Sequence, residues 1–288
     1  MYSEISRNKR RTIILMFIFV LFIAGIGAAF SYLYDDLSIL IWVVTLTLVY
    51  TVFQYFMSGK IAIAMSGAKE IQKKDHRRLY NIVENLVIQE GMPMPKVYLI
   101  DDPSPNAFAA GRDPKHAVVA ATTGLLDLMD DHEVQAVMAH EIAHVKNYDI
   151  RLATIVFGLV SAIAIISEIG WRIGLFGGGR NRNGGAIGAV VLILVSILAP
   201  LIATIVQLAV SRNREYLADS SAALITRRPE AMISALRKLG AAPKSKKQPK
   251  NAAMQALYIN GSGAKNLFST HPPIAKRIER LENAKGSF

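Results

Sequence analysis

The sequence contains no cysteine among its 288 residues. This absence excludes disulfide bonds and thiolate metal sites, so histidine, aspartate and glutamate remain as the candidate metal ligands. Charge is also sparse, because 19% of the residues are charged whereas 52% are hydrophobic. No strong low-complexity segment is present, and the first apolar run is too long for a secretory signal peptide. These features indicate one sizeable domain joined to membrane-spanning helices.

The charges that are present are unbalanced and give a formal net charge of +11. Such an excess would suit a nucleic-acid partner in a soluble protein. Here, however, the basic residues mostly flank apolar runs, as is typical beside anionic lipid. We therefore expect the lipid bilayer as a partner and no nucleic acid.

Two charge-free runs, residues 12–34 and 37–59, lie near the N-terminus. Each is long enough, at about 1.5 Å per residue, to cross a hydrocarbon core of about 30 Å. Basic residues lie at both outer ends of the pair, and Asp35 and Asp36 occupy its tip. The sequence thus predicts a transmembrane hairpin over residues 1–59, with the N-terminus and everything after Lys60 on the cytoplasmic side.

A second hydrophobic region covers residues 152–211 and has a glycine-rich tip with Arg180 and Arg182. We expect this region to cross the membrane fully, which gives the chain four transmembrane helices. These arginines then oppose the tendency of basic residues to stay in the cytoplasm, but the first hairpin can overrule a short loop. A re-entrant or shallow hairpin is the alternative.

The remaining segments, residues 60–151 and 212–288, are predicted to form two parts of one catalytic domain. In the first part, residues 79–89 have helical periodicity, and residues 96–100 and 117–122 are typical of strands. Residues 106–109 could form a third strand at a sheet edge, where an extended substrate can pair through its backbone. An ordinary surface hairpin is the alternative. In the second part, Pro229 begins another short helix.

The strongest chemical signal is DDHEVQAVMAHEIAHVKNY, residues 130–148. Asp130 and Glu133 have the spacing of a helix start, and apolar residues then recur at helical spacing. His140 and His144 are one helical turn apart, so both imidazoles can reach a single Zn²⁺. Glu141 is offset around the helix and can serve as general base towards a zinc-activated water. A surface helix with two hydrated imidazoles is the alternative.

A third ligand is offered by the segment SRNREYLADSSAALI, in which Glu215 and Asp219 share one helix face. Glu215 would complete a His, His, Glu site with an open fourth position, which is typical of catalytic zinc. Asp219 would accept the free N–H of a ligating histidine. In the alternative, Glu215 lies on a solvated face and pairs with Arg212 or Arg214.

His271 stands in STHPP, directly before a predicted C-terminal amphipathic helix. It could approach the zinc and stabilise an oxyanion, or simply cap that helix. The sequence leaves both roles open.

The motifs HEIAHVKNYD, EYLAD and STHPP occur in this order, with two apolar runs before the first and two between the first and second. Together they resemble the HtpX family of membrane zinc metalloproteases over nearly the whole chain. The resemblance implies a mainly α membrane protein whose gluzincin-like α+β zinc protease domain faces the cytoplasm from the inner membrane. It also implies the degradation of misfolded or damaged membrane proteins in stress-related quality control, with other membrane proteases as partners.

The same resemblance assigns roles to individual residues. It implies His140, His144 and Glu215 as zinc ligands and Glu141 as the general base. The segment PNAFAAGR resembles the family's strand beside the cleft, which implies Asn106 and Ala107 as substrate contacts. The related CAAX prenyl proteases share two of the motifs but have more membrane spans. We therefore favour unmodified membrane proteins over prenylated proteins as substrates.

Two functions of other classes compete with an integral membrane zinc endopeptidase. One is a catalytically silent membrane scaffold that keeps zinc for stability, against which an intact Glu141 argues. The other is a transporter that uses Glu168 and Arg172 inside the membrane. Both of these charges lie at the end of a predicted span, where an interfacial position is sufficient.

Overall fold

The computed structural model describes residues 2–176, 212–242 and 272–285. Its elements, in chain order, are α1 (Tyr2–Tyr34), α2 (Leu37–Ser66), β1 (Lys69–Glu70), α3 (Arg77–Gln89), β2 (Lys96–Ile100), β3 (Ala107–Gly111), β4 (Ala117–Thr122), α4 (Thr123–Leu128), α5 (Asp131–Lys146), α6 (Asp149–Phe176), α7 (Arg212–Thr226), α8 (Pro229–Ala241) and α9 (Ile274–Asn283). His271 and residues 177–211 of the predicted second hairpin lie outside the described residues.

Helices α1 and α2 are both long and apolar enough to cross a membrane, with mean hydropathies of 2.9 and 2.0 in their best windows. Only 22% and 17% of those windows are buried, unlike the core helix of a soluble protein. The two helices meet at Asp36, whose carboxylate accepts the Ser38 N–H and begins α2. The N-terminal hairpin therefore suits membrane association.

Both hairpin helices are longer than the charge-free runs that predicted them. Helix α1 begins at Tyr2 and α2 continues to Ser66, because the Lys and Arg residues that bound the runs are good helix formers. The added turns contact the rest of the protein: Asn8 and Ala62 are fully buried. The hairpin thus joins the catalytic part without a flexible linker.

The sheet has the strand order β1-β2-β4-β3. Strands β2 and β4 are parallel, and the outer strands β1 and β3 are antiparallel to their neighbours. The bounds of β2 and β4 match the predicted ones, whereas β3 covers Ala107–Gly111 instead of residues 106–109. Gly111 has φ 137°, and a Cβ there would overlap the His116 carbonyl oxygen, so this strand end requires glycine.

Both faces of the sheet are covered at β3 and β4, in which every residue is buried, and alternate residues of each strand face opposite sides. On one face, Val97, Ala107, Ala109, Val119 and Ala121 belong to a hydrophobic core that also includes residues of α3, α5, α7 and α8. The other face packs on α1, α2 and α6 through Ile100, Phe108, Ala110, Val118 and Ala120. A single sheet is therefore shared between the catalytic helices and the hairpin.

Helix α6 begins at Asp149, slightly before the predicted run, and its first turns are buried against α1, α2 and the sheet. Tyr50 donates its hydroxyl hydrogen to the Gly158 carbonyl at 3.0 Å, which links α2 to α6. Within the described residues, two helices qualify as candidate membrane spans. The layout with four spans and the domain boundaries at 59, 151 and 211 remain predictions.

Candidate metal centre

Helix α5 is started by a reciprocal pair of hydrogen bonds at its N-terminus. The Asp130 carboxylate accepts the N–H groups of His132 and Glu133 at 2.9 Å, and the Glu133 carboxylate accepts the Asp130 N–H at 2.9 Å. This is the capping box that the sequence spacing predicts. It fixes the helix that carries His140 and His144.

Three candidate ligand side chains converge at one point. His140 Nε2 lies 3.1 Å from His144 Nε2, and the Glu215 carboxylate oxygens lie 3.7 Å from the former and 3.5 Å from the latter. A four-coordinate ion with bonds of about 2.0–2.1 Å separates its ligand atoms by about 3.3 Å. The observed distances are close to that value, so His140, His144 and Glu215 fit a metal ion.

The other nitrogen of each imidazole faces a carboxylate. His140 Nδ1 lies 3.0 Å from Asp219 Oδ1, and His144 Nδ1 lies 3.0 Å from Asp149 Oδ2. A carboxylate at Nδ1 fixes the tautomer and leaves the Nε2 lone pair for a metal. The sequence predicted this position for Asp219, but it assigned no role to Asp149.

Asp219 is itself held by Arg277, a residue of α9 that is 1% exposed. The guanidinium donates to both carboxylate oxygens, from Nε at 2.8 Å and from Nη2 at 2.6 Å. Burial opposes the Asp219 charge, but Arg277 and His140 outweigh burial and hold the pKa of this carboxyl well below its usual value. Arg277 of α9 thereby holds Asp219 of α7, and Asp219 in turn faces the candidate ligand His140 of α5.

Acidic groups also set the charge at His144. Burial disfavours its imidazolium, yet the hydrogen bond to Asp149 and the nearby Glu215 outweigh burial and raise the pKa of His144 to about 9. A centre that stabilises a proton in this way also attracts a metal cation.

Glu141 is 5% exposed and stands apart from the three converging side chains. Burial raises the pKa of Glu141, and the nearby main chain of Ala109 on β3 opposes this rise. This group is therefore a buried carboxylate next to the centre, beside the edge strand and suited to exchange a proton.

Asn106 and Ala107 lie where β3 begins. The Asn106 N–H donates to Thr122 Oγ1 at 2.8 Å, and the Thr122 N–H donates to the Asn106 carbonyl at 3.0 Å. Ala107 is fully buried. These bonds fix the start of an edge strand that packs beside α5.

Two histidines from one helix, a glutamate from a later helix and a buried glutamate beside the first histidine together define a metalloprotease centre. The comparisons with known proteins agree. A family model described as "Peptidase family M48" matches residues 73–285. The chain therefore belongs to peptidase family M48.

Individual relatives make the resemblance more specific. A "Protease HtpX homolog" of Tropheryma whipplei (strain Twist) is 49% identical over 293 residues, which cover 100% of both chains. Another, from Streptococcus uberis (strain ATCC BAA-854 / 0140J), is 46% identical over 297 residues, covering 98% of this chain and 99% of the relative. The resemblance to HtpX proteases is thus confirmed.

A solved structure also resembles this chain. The crystal structure of S. mikatae Ste24p matches with a TM-score of 0.48 and 17% sequence identity. The match covers 93% of this chain and 62% of that chain, so this chain spans less than two thirds of the length of Ste24p.

Proposed function

We propose that this metalloprotease is an integral membrane endopeptidase that uses zinc. The observation that carries the proposal is the convergence of His140, His144 and Glu215 beside a separate buried Glu141. Three nitrogen and oxygen ligands without a thiolate, and with a fourth position open, are typical of catalytic zinc.

In this mechanism His140, His144 and Glu215 would hold the ion, and Asp149 and Asp219 would fix the two imidazoles. When bound, zinc supplies the Lewis acidity that polarises a scissile carbonyl and acidifies water. The Glu141 carboxylate takes the proton of the attacking water and passes it to the leaving amine. Burial raises the pKa of Glu141, which helps it to retain the proton between these two transfers.

An extended peptide would bind along β3, with Asn106 and Ala107 as contacts. Edge strands offer main-chain groups that bind a substrate with little regard to its side chains. Ala109 on the same strand contacts Glu141, which supports a scissile bond near this edge. Such recognition suits unfolded segments of misfolded or damaged membrane proteins. His271 would stabilise the oxyanion of the reaction.

The protease would act from the cytoplasmic face of the inner membrane, in protein quality control beside other membrane proteases. Two features support this location. Basic residues lie in and after the helical ends of α1 and α2 that are away from Asp36. Asn8, near the N-terminus, contacts Asp149 of the metal centre, so the centre lies at the same end of the hairpin as these basic residues.

The proposal is tested by cleavage of an unfolded model protein by the detergent-purified chain. Wild type is compared with Glu141→Gln, and bound zinc is quantified in both. We expect equal zinc and activity in the wild type alone. Glu230→Gln, the same substitution at a side chain of α8 that is 69% exposed, serves as the control and keeps activity. Zinc in both proteins with activity in neither, across several substrates, would instead indicate the silent scaffold.

A further inference from the structure

Asn8 is a fully buried polar residue near the start of α1. Its side-chain amide donates two hydrogen bonds, to Asp149 Oδ1 at 2.7 Å and to the Asn147 carbonyl at 3.1 Å. These contacts join residues 141 and 139 positions apart in the sequence. The amide thus reaches from the membrane hairpin to the turn behind the metal centre.

That turn is short and has an unfavourable backbone. It connects α5 to α6 through Asn147 and Tyr148, and Tyr148 adopts φ 59°, a conformation that is uncommon for a residue other than glycine. Lys9 of α1 places its ammonium 4.7 Å from the centre of the Tyr148 ring. Two consecutive residues of α1 therefore hold this turn from the outside.

The two oxygens of Asp149 have different partners. Oδ2 lies 3.0 Å from His144 Nδ1, whereas Oδ1 accepts from Asn8 and lies 3.5 Å from Arg214 Nη1. Arg214 is a buried cation and competes for the same carboxylate. Without the Asn8 amide, Asp149 can rotate towards Arg214 and away from the imidazole.

We propose that Asn8 is a positioning residue of the metal centre, because it fixes the carboxylate that orients His144. The proposal rests on the metal site of the proposed function, but it concerns metal binding and not peptide cleavage. Asn8 does not touch the converging ligand atoms. It acts on the centre through Asp149, which it bonds directly, and through the Asn147 carbonyl in the turn before Asp149.

The test measures zinc affinity of the detergent-purified full chain by competition with a chelator. Asn8→Leu removes the donor and keeps the same number of side-chain heavy atoms with the same branching. We expect affinity to fall about tenfold, the lower end of the range for groups behind metal ligands. Thr12→Val is the matched control, since Thr12 is buried on the same helix and its hydroxyl bonds only to the Asn8 carbonyl among the described contacts. It should leave affinity unchanged.

A double-mutant cycle separates positioning from general support of the fold. Asp149→Asn should weaken zinc binding about tenfold to a hundredfold, and Asn8→Leu added to it should weaken binding no further. The visible spectrum of the cobalt-loaded protein should change in Asn8→Leu and not in Thr12→Val.

Wild-type zinc affinity in Asn8→Leu, or losses that multiply in the double variant, would overturn the proposal. A change in melting temperature alone would assign Asn8 a merely structural role and overturn it as well. Zinc binding by the wild type without proteolysis would refute the endopeptidase and leave this inference intact. Failure of the wild type to bind zinc would refute both.

Discussion

Replacing Arg277 by methionine should destabilise the protein strongly, because it would leave Asp219 buried without its cation. The Asp219 side chain is 2% exposed and that of Arg277 is 1% exposed. Removing one partner of a buried ion pair costs about 3–5 kcal/mol. At about 2–4 °C per kcal/mol, the melting temperature of Arg277→Met should fall by about 10 °C.

A second variant tests the reasoning behind this magnitude. In Arg277→Met with Asp219→Leu, apolar groups of similar length and branching replace both charges, and such a replacement is often neutral for stability. We expect the melting temperature to recover. Zinc affinity should stay reduced about tenfold to a hundredfold, since His140 Nδ1 no longer faces a carboxylate.

Arg237→Met supplies the control for the same chemical change. Arg237 pairs with Glu282 at 2.7 Å between α8 and α9, but its side chain is 63% exposed. Such a pair contributes about 0–1 kcal/mol. The melting temperatures can be measured by calorimetry or intrinsic fluorescence. A thermal-shift assay with a thiol-reactive dye is unsuitable, because the chain has no cysteine. An Arg277→Met melting temperature close to that of Arg237→Met would refute the reasoning.

The remaining predictions concern the hairpin, the catalytic helix and the topology. Gly158→Ala would place a Cβ on the Gln54 side chain and should destabilise the protein by about 1–3 kcal/mol, measured by thermal melting. The double variant with Gln54→Ala should recover the lost stability. Gly25→Ala is the control and should lose none, because the space around Gly25 is open. Glu133→Gln should lower the melting temperature at pH 7, and the difference should shrink as pH falls below about 4.5, because hydrogen bonds from Lys238 and Ser234 outweigh burial and lower the pKa of Glu133. Gly178→Cys in intact cells should react with a membrane-impermeant reagent from outside; labelling only from the cytoplasm would exclude the four-span layout.

Local patterns were sufficient for the residues that share one helix or one strand. His140 and His144 are four positions apart, as are Glu215 and Asp219, and helical periodicity alone predicts that each pair shares a face. The central strands were bounded correctly because they are short and rich in small and β-branched residues between turns.

No local sequence pattern predicted the contacts between residues that are distant in the sequence or separated by a turn. Arg277 lies 58 positions after Asp219, in a helix whose amphipathic pattern gives no reason to bury an arginine. Asp149 follows His144 by five positions, but their contact depends on a turn with a positive φ at Tyr148, which residue type does not predict. Burial of Asn8 follows from the docking of α1 on α6, a tertiary event.

The arrangement of the sheet explains why such long-range contacts control the centre. One sheet face supports α5 with its two histidines, and the other face supports the hairpin and α6. The α5–α6 turn passes between these two layers, so the position of Asp149 depends on both. A chain whose hairpin has not docked would lack the Asn8 contact and would hold His144 less firmly. Metal affinity should therefore reach its full value only after α1 has packed against the catalytic part, and proteolysis should depend on the same packing.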